Sequence, residues 1–393
     1  MELSSQVKAI ALESGAALVG IAPAERLAAA PPSAHPDYLL PSTQSIISFV
    51  IPLDRKIIRD FLSKKDWLTH GTDHKRIYRE LYTISDRLVD FLKGKGFKAI
   101  RPDMNNVYRP EGGSSQQTTD MANMVDMVPD FSHRYGAVAA GLGRLGWSGN
   151  LMTPQFGSAV FIGSVLTSAV LDPDPLLEED PCDKCKLCTT VCPAEMMDKK
   201  ETMSVTIAGR EYSYGKKETN ARCIISCGHS HGLGPNKTWS TWSPYHTDYP
   251  FPKEVAEVIA LSRRIRAADP DLQGKRAVLT QRDKCFDPNE VYINTCGNCG
   301  LICWEKKEDR EENRRILLNS GVVVLTAEGK RIAVPAEETI EIDTPYEVKV
   351  AMLRQEARAL PKLTDSLKEG ALATRVTRDT QILNYLASLP VAT

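Results

Sequence analysis

One stretch constrains this chain more than any other: Cys182-Asp-Lys-Cys185-Lys-Leu-Cys188-Thr-Thr-Val-Cys192-Pro193. It spaces its thiols as C-x2-C-x2-C-x3-C-P. Three thiols at two-residue intervals close a tight loop around one face of an iron–sulfur cube. The fourth, set just before a proline, reaches across to a second cube. Four free thiols in a loop would need no such spacing. A zinc site would use paired C-x2-C units and close at four ligands.

The run makes a demand on the rest of the chain, because its first centre lacks one ligand and its second lacks three. Cys296-Gly-Asn-Cys299-Gly-Leu-Ile-Cys303 answers it. Cys303 stands where it completes the first set with Cys182, Cys185 and Cys188. Cys296 and Cys299 join Cys192 in the second, which leaves one place open. Cys223, Cys227 and Cys285 are the thiols left to fill it. About a hundred residues separate the two motifs, so a compact two-centre unit has been opened and a segment inserted.

The ten cysteines are too sparse for a disulfide scaffold, and most stand at ligand spacing. Thiolate-held centres suit a reducing compartment, so a cytoplasmic setting is expected. Met1-Glu-Leu-Ser-Ser-Gln shows no basic or apolar leader, and no run approaches the length of a membrane span. A formal net charge of −1 argues against a nonspecific nucleic-acid binder, which carries a basic excess.

Before the cysteine run the pattern is mixed. Residues 3–15 read as an amphipathic helix, Ala17–Ile21 as a buried strand and Ser45–Ile51 as the clearest strand of the chain. Ile77, Leu81, Ile84, Leu88 and Leu92 place a long helix over about 74–93, stopped at Gly94 and Gly96. Strands are expected at Phe97–Arg101 and over 158–171. Strand, helix and strand in this order predict a sheet with helices packed on it.

Residues 103–132 are polar and carry no long apolar run, the mark of a functional loop. Val125-Asp126-Met-Val-Pro129 lies near its end. Ala139-Ala-Gly141-Leu-Gly143-Arg-Leu-Gly146-Trp147-Ser-Gly149-Asn150 follows. Gly141, Gly143 and Gly146 spell G-x-G-x-x-G, but no strand opens a βαβ unit there, so a dinucleotide site is rejected. A glycine turn against some other large flat ligand fits the pattern better.

Prolines 173, 175 and 181 mark a linker. The insert between the motifs holds Asn220-Ala-Arg222-Cys223-Ile-Ile-Ser-Cys227, then Trp239, Trp242, Tyr245, His246 and Tyr249. These rings either pack the loop on the protein or wall a substrate pocket. A helix is expected over 253–267. The charged helix after Cys303 reads as a solvated face. Gly321–Leu325 and Arg331–Val334 suggest a hairpin across Glu328-Gly329, and the tail from about 345 reads as helical.

Taken together, these residues resemble the cobalamin-dependent, two-cluster reductases, namely epoxyqueuosine reductases and reductive dehalogenases. The resemblance runs over roughly residues 5–305. It rests on the paired cysteine motifs, on Asn220–Cys223, and on the V-D-x-x-P segment followed by the glycine stretch. It implies an α+β fold: a nitroreductase-like, cobalamin-binding α/β sheet domain over 1–171, a ferredoxin-like double 4Fe–4S domain over 172–320, and a hairpin and helical extension over 321–393. It picks Cys223 as the last ligand of the second centre. Asp126 becomes the acid that protonates the substrate, its pKa raised by burial among Met124, Met127 and Val128. Gly141, Leu142, Gly143, Gly146, Trp147, Ser148, Gly149 and Asn150 would lie beside the corrinoid.

The activity implied is that of an oxidoreductase. Electrons from a low-potential ferredoxin or flavodoxin pass through two 4Fe–4S clusters to cobalt, held as Co(I), for reduction of a small organic substrate. Transfer RNA is not expected as a partner, because no strongly basic surface is evident and the tail does not read as helical repeats. The rival reading is an electron carrier or corrinoid-reducing activator, which would need the clusters but no acid such as Asp126.

Overall fold

The computed structural model describes residues 2–104, 107–110, 116–117, 127–218, 220–227, 230–247, 254, 256–260, 285–288, 294–325, 330–335, 339–342 and 348–353. Helix α1 (Leu3–Glu13) leads into strand β1 (Leu18–Pro23) and then β2 (Ser45–Pro52). Helix α2 (Arg55–Leu62), capped by the Asp54 carboxylate on the Ile57 amide, and the long α3 (Leu68–Gly94) follow. Next come β3 (Ala99–Ile100), the short β4 (Val107–Pro110), β5 (Gln116–Gln117) and β6 (Met127–Pro129), helix α4 (His133–Ala139), β7 (Arg144–Leu145), β8 (Leu151–Met152) and β9 (Val160–Thr167).

The N-terminal sheet has the order β1-β2-β9-β3, and each neighbouring pair is antiparallel. Strand β2 explains why it forms. Ile47, Phe49 and Ile51 point to one face and Ile46 and Val50 to the other, and all are buried. The first face packs under α1 and α3, with Val7, Ala11, Leu81, Ile84 and Leu88. The second packs under α4, with Ala137–Ala140 and Leu142. A strand apolar on both faces needs a layer on each side, and the chain supplies both.

Beyond the sheet, the cysteine run carries α5 (Leu187–Thr190). Strands β10 (Met197–Ile207) and β11 (Arg210–Lys217) then form a hairpin that the sequence reading did not anticipate. Helix α6 (Asn220–Cys227), β12 (Tyr245–Thr247), α7 (Asn298–Leu301) and α8 (Lys307–Leu318) complete the middle of the chain. The expected hairpin past 320 forms from β13 (Val322–Leu325) and β14 (Arg331–Val334). The reading of the tail as helical from about 345 needs correcting at its start. After β15 (Thr339–Ile342), residues 348–353 form strand β16, which pairs with β12 and β15. Its sequence, Val-Lys-Val-Ala-Met-Leu, is apolar at every position but Lys349, with β-branched valines at its start, a composition that suits a strand.

The architecture is thus mixed helix and sheet. Among the described residues, no helix is long and apolar enough to cross a membrane.

Candidate metal centre

The two cysteine motifs meet, although about a hundred residues separate them. Cys182, Cys185, Cys188 and Cys303 line one cavity of about 310 Å³, counting its open mouth, together with Trp147, Lys186 and Arg310. The loop curls because Lys184 and Lys186 take left-handed backbone conformations, φ 54° and 58°. That is an unusual conformation for lysine, held here by the need to turn successive thiols inward. Asp180 and Asp183 accept from the Cys182 and Cys185 amides at 3.0 and 3.1 Å and brace the turn.

The second motif docks on the first. Asn298 Nδ2 donates to the Val191 carbonyl at 3.3 Å, which seats α7 against the end of the cysteine run. Cys192 then faces Cys296, Cys299 and Cys223. Backbone and side-chain donors point at these sulfurs: the Trp147 amide at Cys182 and the Met196 amide at Cys192, both 3.4 Å, and Asn150 Nδ2 at Cys299, 3.7 Å. Donors of this kind stabilise thiolates and bound clusters.

Electrostatics follow from packing thiols together. Burial, then neighbouring thiolates, push Cys188 well up and Cys303 up to about 11. Burial raises Cys299 to about 12. Thiols so crowded hold together as thiolates only around positive charge. Some of that charge is present. Arg310 is 4% exposed, pairs with Asp183 at 3.0 Å and lines the cavity, and its Nε and Nη1 have no hydrogen-bond partner. A buried guanidinium with unused donors beside four thiols fits an anionic, sulfide-bearing guest. Among the described residues, no three His, Cys, Asp or Glu side chains stand close enough for a single metal ion. A cube spreads its four thiolates more widely than one ion does.

Several residues were missed from the sequence. Arg310 and Asn313 lie on α8, which was read as a solvated face, yet both are buried. Lys217, at the end of β11, stands beside Cys299 and Cys223, and burial lowers its pKa to about 8. Cys227 is drawn into the second group as well: its Sγ lies 3.9 Å from that of Cys223, and it also contacts Cys296. The one signal for it was the i, i+4 spacing on a helix. Cys285 stays apart, buried among α3 residues. Trp239 and Trp242 are core rings and not an open wall. Trp242 donates to the Phe61 carbonyl at 3.0 Å and stacks on Trp67.

The glycine stretch lies between the sheet and the thiols. A Cβ on Gly141 would meet the Pro175 carbonyl oxygen at 2.1 Å, and one on Gly143 would meet that of Met152 at 2.4 Å. Leu142 is buried in the core under β2. Gly146, Trp147, Ser148 and Asn150 instead approach the cysteines, and Gly149 is covered by Lys217. The described part of this turn is therefore matched to the chain itself and to the thiol site. Asp126 and the residues from 118 up to it lie outside the described residues.

No family model matches the chain. Among curated proteins, the epoxyqueuosine reductase of Bacillus cereus is 27% identical over 170 residues, covering 40% of this chain and 37% of the relative. That of Staphylococcus aureus is 27% identical over 174 residues, covering 42% and 38%. A shorter match to the Bacillus anthracis enzyme reaches 35% over 74 residues, 19% of each chain.

The chain is similar to the epoxyqueuosine reductases.

That bears out the resemblance read from the cysteine motifs, and the relatives matched are oxidoreductases, as expected. The matched stretch spans well under half of each relative's length. Solved structures give looser likenesses. An epoxyqueuosine reductase with a tRNA-Tyr epoxyqueuosine-modified stem loop matches over 81% of both chains at 18% identity and a TM-score of 0.36. A catabolic reductive dehalogenase matches over 56% of this chain and 28% of its own at 17% identity and a TM-score of 0.40. The expectation that transfer RNA is not a partner must be withdrawn. The curated relatives are epoxyqueuosine reductases, and one such enzyme is bound to a tRNA stem loop. A near-neutral total charge excludes nonspecific binders but says nothing about one local RNA-facing surface.

Proposed function

We propose that this chain is a cobalamin- and iron–sulfur-dependent reductase of the epoxyqueuosine-reductase type. The observation that carries the reading is the convergence of two distant cysteine motifs into two thiol groups, one of them lined by the unsatisfied Arg310. In this reading Cys182, Cys185, Cys188 and Cys303 hold one 4Fe–4S cluster. Cys192, Cys296, Cys299 and Cys223 hold the other. The first group opens through the cavity mouth beside Lys186 and receives the external donor, a ferredoxin or flavodoxin. The second lies deeper, beside Lys217 and Asn150.

The domains follow the same division: a nitroreductase-like sheet domain over 1–171, a ferredoxin-like cluster domain over 172–320 and an extension over 321–393. Cobalamin, when bound, supplies a low-potential metal centre for reducing the substrate. Its place here is supported by the relatives, and Gly141, Leu142, Gly143 and the Gly146–Asn150 turn are the residues that would lie beside it. The chain's own contribution is a proton. Asp126, on its V-D-x-x-P segment, donates to the atom that gains charge on reduction. The substrate class to test first is an epoxide carried on a modified tRNA nucleoside, and the setting is a reducing cytoplasm.

The test is anaerobic reconstitution followed by metal analysis and an absorbance spectrum. About eight irons per chain, with corrin bands after cobalamin is supplied, is the expected result. About four irons, or no corrin bands, would overturn the corresponding part. Turnover of epoxyqueuosine-modified tRNA with a chemical reductant then tests the substrate class.

A further inference from the structure

The second thiol group holds one cysteine more than a four-ligand set needs. Cys223 and Cys227 lie one turn apart on α6, so their side chains share a face. Their sulfurs are 3.9 Å apart, and Cys227 also touches Cys296. Helix α6 is held in this position at both ends. Arg222 Nη1 donates to the Glu195 carbonyl at 3.0 Å, just past Cys192. Thr295 Oγ1, next to Cys296, donates to the Ser226 carbonyl at 2.7 Å. The two clamps tie the helix to both cysteine motifs. Cys223 faces Cys192 and Cys299, and Cys227 lies against Cys223 and Cys296, one thiol's breadth from the same place in the site.

We propose that Cys223 and Cys227 are interchangeable fourth ligands of the second cluster, each able to complete the set of Cys192, Cys296 and Cys299. The inference rests on the two-cluster reading above. Whichever thiol binds iron gives up its proton. Cys285 has no such role, because it is buried elsewhere against α3.

The test uses the full chain, reconstituted anaerobically, with iron content and the electron paramagnetic resonance of the reduced protein as readouts. Alanine is used because a serine oxygen can itself bind iron. Cys223→Ala and Cys227→Ala should each keep about eight irons, and the double variant should keep about four. Each single variant should also retain two reducible centres in its spectrum. If Cys223→Ala drops to about four irons, Cys223 is the sole ligand and the proposal is wrong. If Cys227→Ala drops to about four, Cys227 is the sole ligand and the proposal is equally wrong. A double variant that keeps about eight places the ligand elsewhere and overturns it too. Failure of the underlying reading looks different, because the unsubstituted chain would then hold about four irons or fewer.

Discussion

Gly157 offers the sharpest structural test of how the first centre is held. It has φ +61°, and a Cβ there would lie 2.2 Å from the Cys303 carbonyl oxygen and 2.6 Å from backbone atoms of Trp304. The next residue, Ser158, donates its amide to that same Cys303 oxygen at 2.7 Å. Cys303 cannot recede, because Trp304 behind it is 2% exposed and flanked by Arg55 and Arg59, each 4.8 Å from its ring. Gly157→Ala thus adds two costs. The left-handed backbone costs an alanine about 1–2 kcal/mol. Forcing backbone off backbone costs about 1–3 kcal/mol more, as in other overpacked sites. Gly209→Ala is the control, since Gly209 has φ +73° at the tip of the β10–β11 hairpin with nothing within 4 Å of a Cβ. It should carry the backbone cost alone. Thermal unfolding of the reconstituted protein should show a Tm fall of roughly 2–6 °C for Gly157→Ala and roughly 1–2.5 °C for Gly209→Ala. Iron content should fall toward half in the first variant and stay whole in the second. If Gly157→Ala keeps all its iron and melts with Gly209→Ala, the contact with Cys303 does not position that ligand.

Three further outcomes can be checked. Arg310→Met removes a buried positive charge beside the first thiol group, so the first cluster should become harder to reduce, by on the order of tens of millivolts. An unchanged potential in a spectroscopic titration would remove Arg310 from the site. Asp126→Asn should lower turnover by roughly 10²–10⁴-fold with iron and corrin content unchanged, and a wild-type rate would assign the proton to another group. Burial lowers the pKa of His74 and of His133 from 6.5 to about 4. The unfolded chain therefore binds these protons first as pH falls from 6.5 to 4. Each histidine should remove about 1.4 kcal/mol of stability per pH unit across that window and nothing above it. Urea midpoints measured at pH 7 and pH 5 check this, and the fall should shrink when both histidines are replaced by glutamine.

What the sequence made legible was the meeting of the two cysteine motifs and the sheet. A cysteine run short of four ligands has to find them, and chain distance is no obstacle to that requirement. Strand β2 was legible because seven of its eight residues are buried, so its apolar run has no other use. The β10–β11 hairpin went unread although its signal was present. Val205, Ile207, Tyr212 and Tyr214 alternate with polar residues about Ala208-Gly209, and all four are buried. The polar start of β10, Lys199 to Thr202, hid the strand period. Helix α8 misled for a different reason. Its burial of Arg310 and Asn313 is set by what stands opposite, and a charged side chain turned toward a thiol site has no periodic signature.

The glycine stretch shows the same limit from the other side. The sequence says that Gly141 and Gly143 allow a close approach but not of what, and here the approaching groups are Pro175 and Met152 of the same chain. Residue type alone left the role of Cys227 open in the same way. It was one of three leftover thiols, and only the packing of α6 against Thr295 and Glu195 separates it from Cys285. A thiol held against two other thiols of one group differs in kind from a thiol in an apolar core, even where both are cysteines of one chain. On the proposed two-cluster reading, the first is subject to the demand of the metal, the second only to that of the core. That difference is why deleting Cys223 is expected to leave the second centre standing, whereas deleting Cys182, which has no neighbour to replace it among the four thiols lining its cavity, should empty the first.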